Sequence, residues 1–70
     1  MKNNLSSRRK ELKLTQLQIA NAIGISESHY QSYEYGLHIP SVYVAIRLAQ
    51  VLQTTVEELF PGDPQPPIYD

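Results

Sequence analysis

The stretch from Leu14 to Gly36 constrains this chain more than any other part, because its helix start and stop signals leave room for two short helices and one tight turn. Thr15 and Gln18 form a T-x-x-Q capping box, in which each side chain satisfies a backbone donor that the helix itself leaves orphaned. Leu17, Ala20 and Ile23 then recur at helical spacing and are expected to face inward. Gly24 supplies a position where φ can be positive, so the chain can turn sharply. Ser26 is a good N-cap for the next helix, and Glu27 in its first turn suits the helix dipole. Gly36 follows as the residue that ends that helix. Tyr30, Tyr33 and Tyr35 imitate strand alternation, but Ser26 before them and Gly36 after them favour a helix. Ala20, four residues before Gly24, is small enough to let the two helices approach closely.

The flanks extend the same pattern. Leu5, Arg9 and Leu12 fall at i, i+4 and i+7, which predicts a first helix over residues 5–13 with Arg9 on its apolar stripe. Pro40-Ser41 opens a fourth helix with the predicted stripe Val42, Ala45, Ile46, Ala49 and Leu52. Thr55 and Glu58 form a second capping box that starts a short fifth helix, and Leu59 and Phe60 are expected to close the core. Four of the five prolines and a glycine crowd into 61–67. Each proline removes a donor and clashes with a preceding turn, so 61–70 reads as an extended tail and 1–60 as the domain. The fold class is therefore all-α, five short helices joined by short turns.

Seventy residues make one small domain, marginal in burial unless well packed or paired with a second copy. With no Cys there are no disulfides and no thiolate sites, which fits a reducing cytoplasm. His29 and His38 alone cannot build a tetrahedral zinc site. No apolar run approaches the roughly 20 residues of a membrane span, and Met1-Lys2-Asn3-Asn4 lacks the apolar stretch of a secretory leader. Catalysis finds no foothold: there is no Cys nucleophile and no phosphate-cradling glycine loop, and the neighbouring Glu57 and Glu58 point in different directions. The expectation is no enzyme, cofactor, metal or small-molecule ligand. Net charge is −1, but Lys2, Arg8, Arg9, Lys10 and Lys13 crowd the first 13 residues, whereas Glu57, Glu58, Asp63 and Asp70 lie towards the other end. One basic and one acidic side are possible; ordinary solvated surface explains the charge equally well.

A helix of about eight residues, a glycine turn and a second helix of about nine form a helix-turn-helix pattern, in which the second helix is held out to enter a major groove. Leu14-Thr15-Gln16-Leu17-Gln18-Ile19-Ala20, Ile23-Gly24-Ile25-Ser26, Tyr33-Glu34-Tyr35-Gly36 and Pro40-Ser41 resemble the lambda-repressor-like (Cro-type, or XRE) helix-turn-helix family over about 5–60. The sequence departs from that family at Tyr30, a position more often Ile or Val, and at Arg8, which replaces a common apolar residue. The turn from Leu37 to Ile39 and the whole of helix 3 lack Lys and Arg.

The resemblance implies a transcriptional regulator, most simply a repressor, that binds double-stranded DNA. The outer face of helix 3 carries Ser28, Gln31, Ser32 and Tyr35, flanked by Glu27 and His29. Any amphipathic helix has such a polar face; the resemblance turns it into a set of base readers, since Gln pairs with adenine, Glu accepts from cytosine and Ser bonds several base edges. Gln16, with Thr15 and the N–H groups opening helix 2, is implied as a phosphate contact, and Ser41 opening helix 4 as a second. Lys2, Lys10, Lys13 and His38 add longer-range attraction.

Arg9 and Glu34 both fall on inward stripes. Each charge is costly to bury alone, and together they can form a bidentate structural pair joining helix 1 to the end of helix 3. A homodimer on a pseudo-palindromic operator follows from the weakness of one low-charge domain. Tyr43 and Val44, which face away from the main helix 4 stripe, join the helix 5 region as the expected two-fold surface. The tail, with Ile68 and Tyr69, either stays unpacked or crosses to the partner. The rival reading is a protein–protein module, such as an antirepressor or an antitoxin component, using the same fold.

Overall fold

A computed structural model of the chain describes residues 3–61. Five helices run in the order α1 (Leu5–Glu11), α2 (Gln16–Ile23), α3 (Glu27–Glu34), α4 (Val42–Val51) and α5 (Val56–Leu59), with no strand among the described residues. None of these helices is long and apolar enough to cross a membrane. The expected tail lies outside the described residues apart from Pro61, as does Lys2.

Local chemistry explains the element boundaries. The Thr15–Gln18 capping box is complete: Gln18 N donates to Thr15 Oγ1 at 3.1 Å, and Thr15 N donates to Gln18 Oε1 at 2.8 Å. Ser26 and Ser41 cap α3 and α4 by accepting from His29 N and Val44 N. At α5 only half of the expected box forms. Thr55 Oγ1 accepts from Glu58 N, but the Glu58 carboxylate accepts from Thr54 Oγ1 at 2.8 Å instead of reaching back to the Thr55 backbone.

Four helices end alike, on a residue with positive φ whose successor donates to a carbonyl five residues back. Gly24 and Gly36 do this as expected, with Ile25 N on Ala20 O and Leu37 N on Ser32 O. Lys13 (φ 59°) and Gln53 (φ 56°) do it without glycine. The first helix accordingly stops at Glu11, short of the expected 13.

The core gathers Leu5, Ile19, Ala20, Ile23, Tyr30, Tyr33, Leu48, Ala49, Leu52 and Leu59. Fully burying an aliphatic side chain of this kind contributes about 1.5–3 kcal/mol. α2 packs against both α3 and α4, α5 against α4, and α1 against α3. Two expected stripes are corrected here. Leu17 is 48% exposed, and Ile19 takes its place at the centre of the core. On α4 the inward residues are Ala45, Leu48, Ala49 and Leu52, whereas Val42 (62%) and Ile46 (44%) are exposed. That helix is apolar around most of its girth, so its own spacing does not choose a face; the approach of α2 and α5 does. Val44, expected outside, packs partly against the core, while Tyr43 is 78% exposed.

Candidate nucleic-acid interface

A chain of polar contacts seats α3. Arg9 Nε lies 2.6 Å from Glu34 Oε2, and the Arg9 guanidinium also donates to Leu14 O at 3.0 Å. The two side chains retain only 13% and 3% of their accessible surface. Gln16 Nε2 donates to Glu34 Oε1 at 3.0 Å, and Gln31 Nε2 donates to Gln16 Oε1 at 2.9 Å. One string of side chains thus joins α1, the start of α2 and the middle of α3. Burial pushes the Glu34 pKa up, but the hydrogen bonds from Arg9 and Gln16, together with the electrostatic influence of the nearby Tyr30 hydroxyl, outweigh it and hold the carboxyl below its ordinary 4.5. The hydrogen bond to Glu34 raises the pKa of Arg9. Burial, and then the neighbouring Glu34, drive the Tyr30 phenol well above its ordinary value. Its hydroxyl has no hydrogen-bond partner of good geometry, which makes it an orphaned polar atom in the core.

The outer residues of α3 differ in their freedom. Glu27, Ser28, His29 and Tyr35 are exposed, with Tyr35 just past the helix end. Gln31 and Ser32 are half-buried: Gln31 is tied to Gln16, and Ser32 Oγ donates to His29 O at 2.6 Å. Tyr33 OH and His29 Nε2 lie 3.0 Å apart, so the His29 ring leans on the buried Tyr33. Ser28 Oγ is 3.4 Å from the capping Ser26 Oγ.

The residues expected near phosphate are also at the surface, with one qualification. Lys10, Lys13, Thr15, His38 and Ser41 are exposed, and the His38 and Leu37 amides bond Ser32 O, which holds that turn against α3. Gln16 is half-buried with both amide atoms engaged inside the protein. What it retains for an outside anion is one side-chain N–H, together with the backbone N–H groups opening α2.

Sequence reasoning missed three positioning residues. Arg8, noted only as a departure, donates from Nε to Leu52 O at 2.8 Å and from Nη2 to Gln53 O at 3.0 Å, which clamps the end of α4 to α1. Asn3 Nδ2 donates to Tyr33 O at 2.7 Å, and Asn4 Nδ2 to Glu58 O at 2.8 Å. A charged residue where an apolar one is common was the available sign for Arg8; nothing local marks the asparagines.

Comparison with known proteins agrees with this geometry. A family model described as helix-turn-helix matches residues 5–59. The chain is 36% identical over 59 residues to the cryptic phage CTXphi transcriptional repressor RstR of Vibrio cholerae, covering 84% of this chain and 53% of that protein. It is 30% identical over 66 residues to the uncharacterized HTH-type transcriptional regulator YqaE of Bacillus subtilis, covering 94% of this chain and 57% of that protein. The chain therefore spans about half the length of the curated relatives it matches. A match across nearly the whole described region places it plainly: the chain belongs to the XRE-type, lambda-repressor-like helix-turn-helix family.

Proposed function

We propose that this chain is the DNA-binding unit of a transcriptional regulator, a repressor by occupancy, acting as a homodimer on a pseudo-palindromic operator. The carrying observation is α3: an eight-residue helix with Tyr30 and Tyr33 buried on one side, Glu27, Ser28 and His29 exposed on the other with Tyr35 just past its end, and that end locked by Arg9–Glu34. Glu27, Ser28, His29, Gln31, Ser32 and Tyr35 read base edges, and two copies of α3 enter successive major grooves about 34 Å apart. Thr15, Gln16 and Ser41 contact phosphate at the openings of α2 and α4, and Lys10, Lys13 and His38 add attraction. Such a protein works where the DNA is, in the cytoplasm of a bacterium. The similarity to a named phage repressor supports this reading, and the family is one of regulators rather than enzymes.

The dimer reading draws support from one apolar surface. Ile39, Val42, Tyr43 and Ile46 are all exposed, and Ile39 and Val42 border a groove of about 360 Å³ completed by Pro40, Ala45, Val56 and Phe60. An apolar surface of this kind on a small domain marks a docking face. The groove reaches α5 through Val56 and Phe60, and Tyr43 is exposed on the same α4, whereas Val44 packs partly against the core.

Salt titration of binding to random duplex DNA tests the core claim. Log K should fall linearly with log salt at a slope near −0.9 per phosphate contact. A flat response favours the rival protein–protein module, which the absence of Lys and Arg on α3 supports.

A further inference from the structure

Asn3 and Asn4 are consecutive residues that grip the ends of two different helices. Asn3 Nδ2 donates to Tyr33 O at 2.7 Å, in the last turn of α3. Asn4 Nδ2 donates to Glu58 O at 2.8 Å and Asn4 N to Leu59 O at 2.8 Å, both at the end of α5. The last carbonyls of a helix lack its regular donors, so amides placed there can take them up. Asn3 is itself fixed, because its Oδ1 accepts from Leu5 N at 3.0 Å at the head of α1. Val56 of α5 and Phe60 just past its end line the apolar groove, whereas α3 carries the polar outer face. The packed route between these two surfaces runs from α5 through α4 and α2 to α3. Asn3 and Asn4 close that route into a ring across a single peptide bond.

We infer that Asn3 and Asn4 form a joint that fixes α3 relative to the two-fold surface, and thereby set the half-site spacing that the dimer accepts. This inference rests on the reading of α3 as the DNA-contacting helix and of the α4–α5 face as the dimer contact. One base pair added between half-sites moves the second by about 3.4 Å along the duplex and turns it by about 35°. A dimer meets that change by deforming the DNA or by swinging α3 against its own two-fold face. The joint resists the swing. Asn3 contributes more than Asn4, because its bond to α3 is partly buried. The Asn4 side-chain bond is exposed, and its main-chain bond survives any replacement of the side chain other than proline.

The test takes the half-site selected by the full chain from a random duplex pool and measures binding to paired half-sites at successive spacings. Asn3→Asp keeps an oxygen for Leu5 N and suits the head of α1, but its carboxylate has no hydrogen to donate to Tyr33 O. Val51→Ala, on α4 and packed partly against the core, serves as a variant that lowers stability from a different helix. The wild type should favour one spacing. Asn3→Asp should narrow the ratio between that spacing and its neighbours about fivefold, the size of one lost hydrogen bond, with the same bases selected in each half-site. Asn4→Asp should narrow it less, and Val51→Ala should leave it unchanged. An unchanged ratio in Asn3→Asp, or equal narrowing in Val51→Ala, overturns the joint, while spacing-dependent binding by the wild type leaves the dimer reading standing. Should Asn3→Asp not fold, Asn4→Asp decides, and an unchanged ratio there overturns the joint. A wild type that ignores spacing, or binds no duplex, overturns the dimer or DNA reading and this inference with it.

Discussion

Arg9 Nε and Glu34 Oε2 stand 2.6 Å apart although 25 residues separate them in the chain, and both side chains are withdrawn from water. Removing either partner leaves the other as an uncompensated, largely buried charge. Arg9→Ala or Glu34→Ala should each cost about 3–5 kcal/mol in urea unfolding. The double variant Arg9→Met with Glu34→Leu should recover much of that loss, because it strands no charge. Equal losses in the single and double variants would dismiss the pair as the cause.

The same carboxylate makes stability depend on pH with a defined sign. Its folded pKa lies below 4.5, so the unfolded chain takes up the proton first. Its contribution is complete above about 4.5 and disappears as pH falls through the folded value. Glu34→Gln should flatten the stability profile in that acidic window. A wild-type-minus-variant difference that stays constant from about pH 7 to about pH 3 contradicts this.

Lys13 and Gln53 occupy left-handed backbone at φ 59° and 56°, where a side chain costs roughly 1–2 kcal/mol. Glycine relieves that strain but returns roughly 0.5–1 kcal/mol as added freedom in the unfolded chain. Gln53→Gly and Lys13→Gly should each raise stability by about 0.5–1 kcal/mol, read as a higher thermal midpoint. A lower midpoint in both would refute the argument.

Arg8 donates to the carbonyls of Leu52 and Gln53, which the end of α4 leaves without helical partners. Its contact with Glu11 is exposed and contributes little. Arg8→Leu should lose about 1–2 kcal/mol and speed amide exchange at the α4–α5 turn, while Glu11→Ala should change almost nothing. Comparable effects from the two substitutions would point to the ion pair instead of the clamp.

Tyr43, at 78% exposure, adds little to the fold of a single copy. Tyr43→Glu should leave the unfolding free energy of the monomer within about 0.5 kcal/mol of wild type and shift sedimentation towards the monomer. An unchanged mass distribution, or a wild type that is itself monomeric at all concentrations, removes this surface from the dimer.

Helix existence was written locally. Thr15, Ser26, Ser41 and Thr55 each offer an oxygen to a donor three residues on, and Gly24 and Gly36 stop their helices where the next residue must turn. These are short-range matters of φ, ψ and adjacent donors, so the order and type of elements followed from reading the chain. The Arg9–Glu34 pairing was also legible, since two opposite charges on inward stripes have few other ways to avoid solitary burial.

The tertiary structure alone decided which apolar residues matter. Leu17 and Ile19 are two positions apart on one turn, and α4 carries apolar side chains on nearly every face; only the packing of neighbouring helices selected Ile19, Leu48 and Ala45 over Leu17, Ile46 and Val42. It also converted Gln16 from a surface amide into the link between Glu34 and Gln31, and gave Arg8 two carbonyls 44 and 45 residues away. Periodicity defines a stripe along one helix, whereas the partner across the gap depends on how the helices cross, and that is a property of the assembled core.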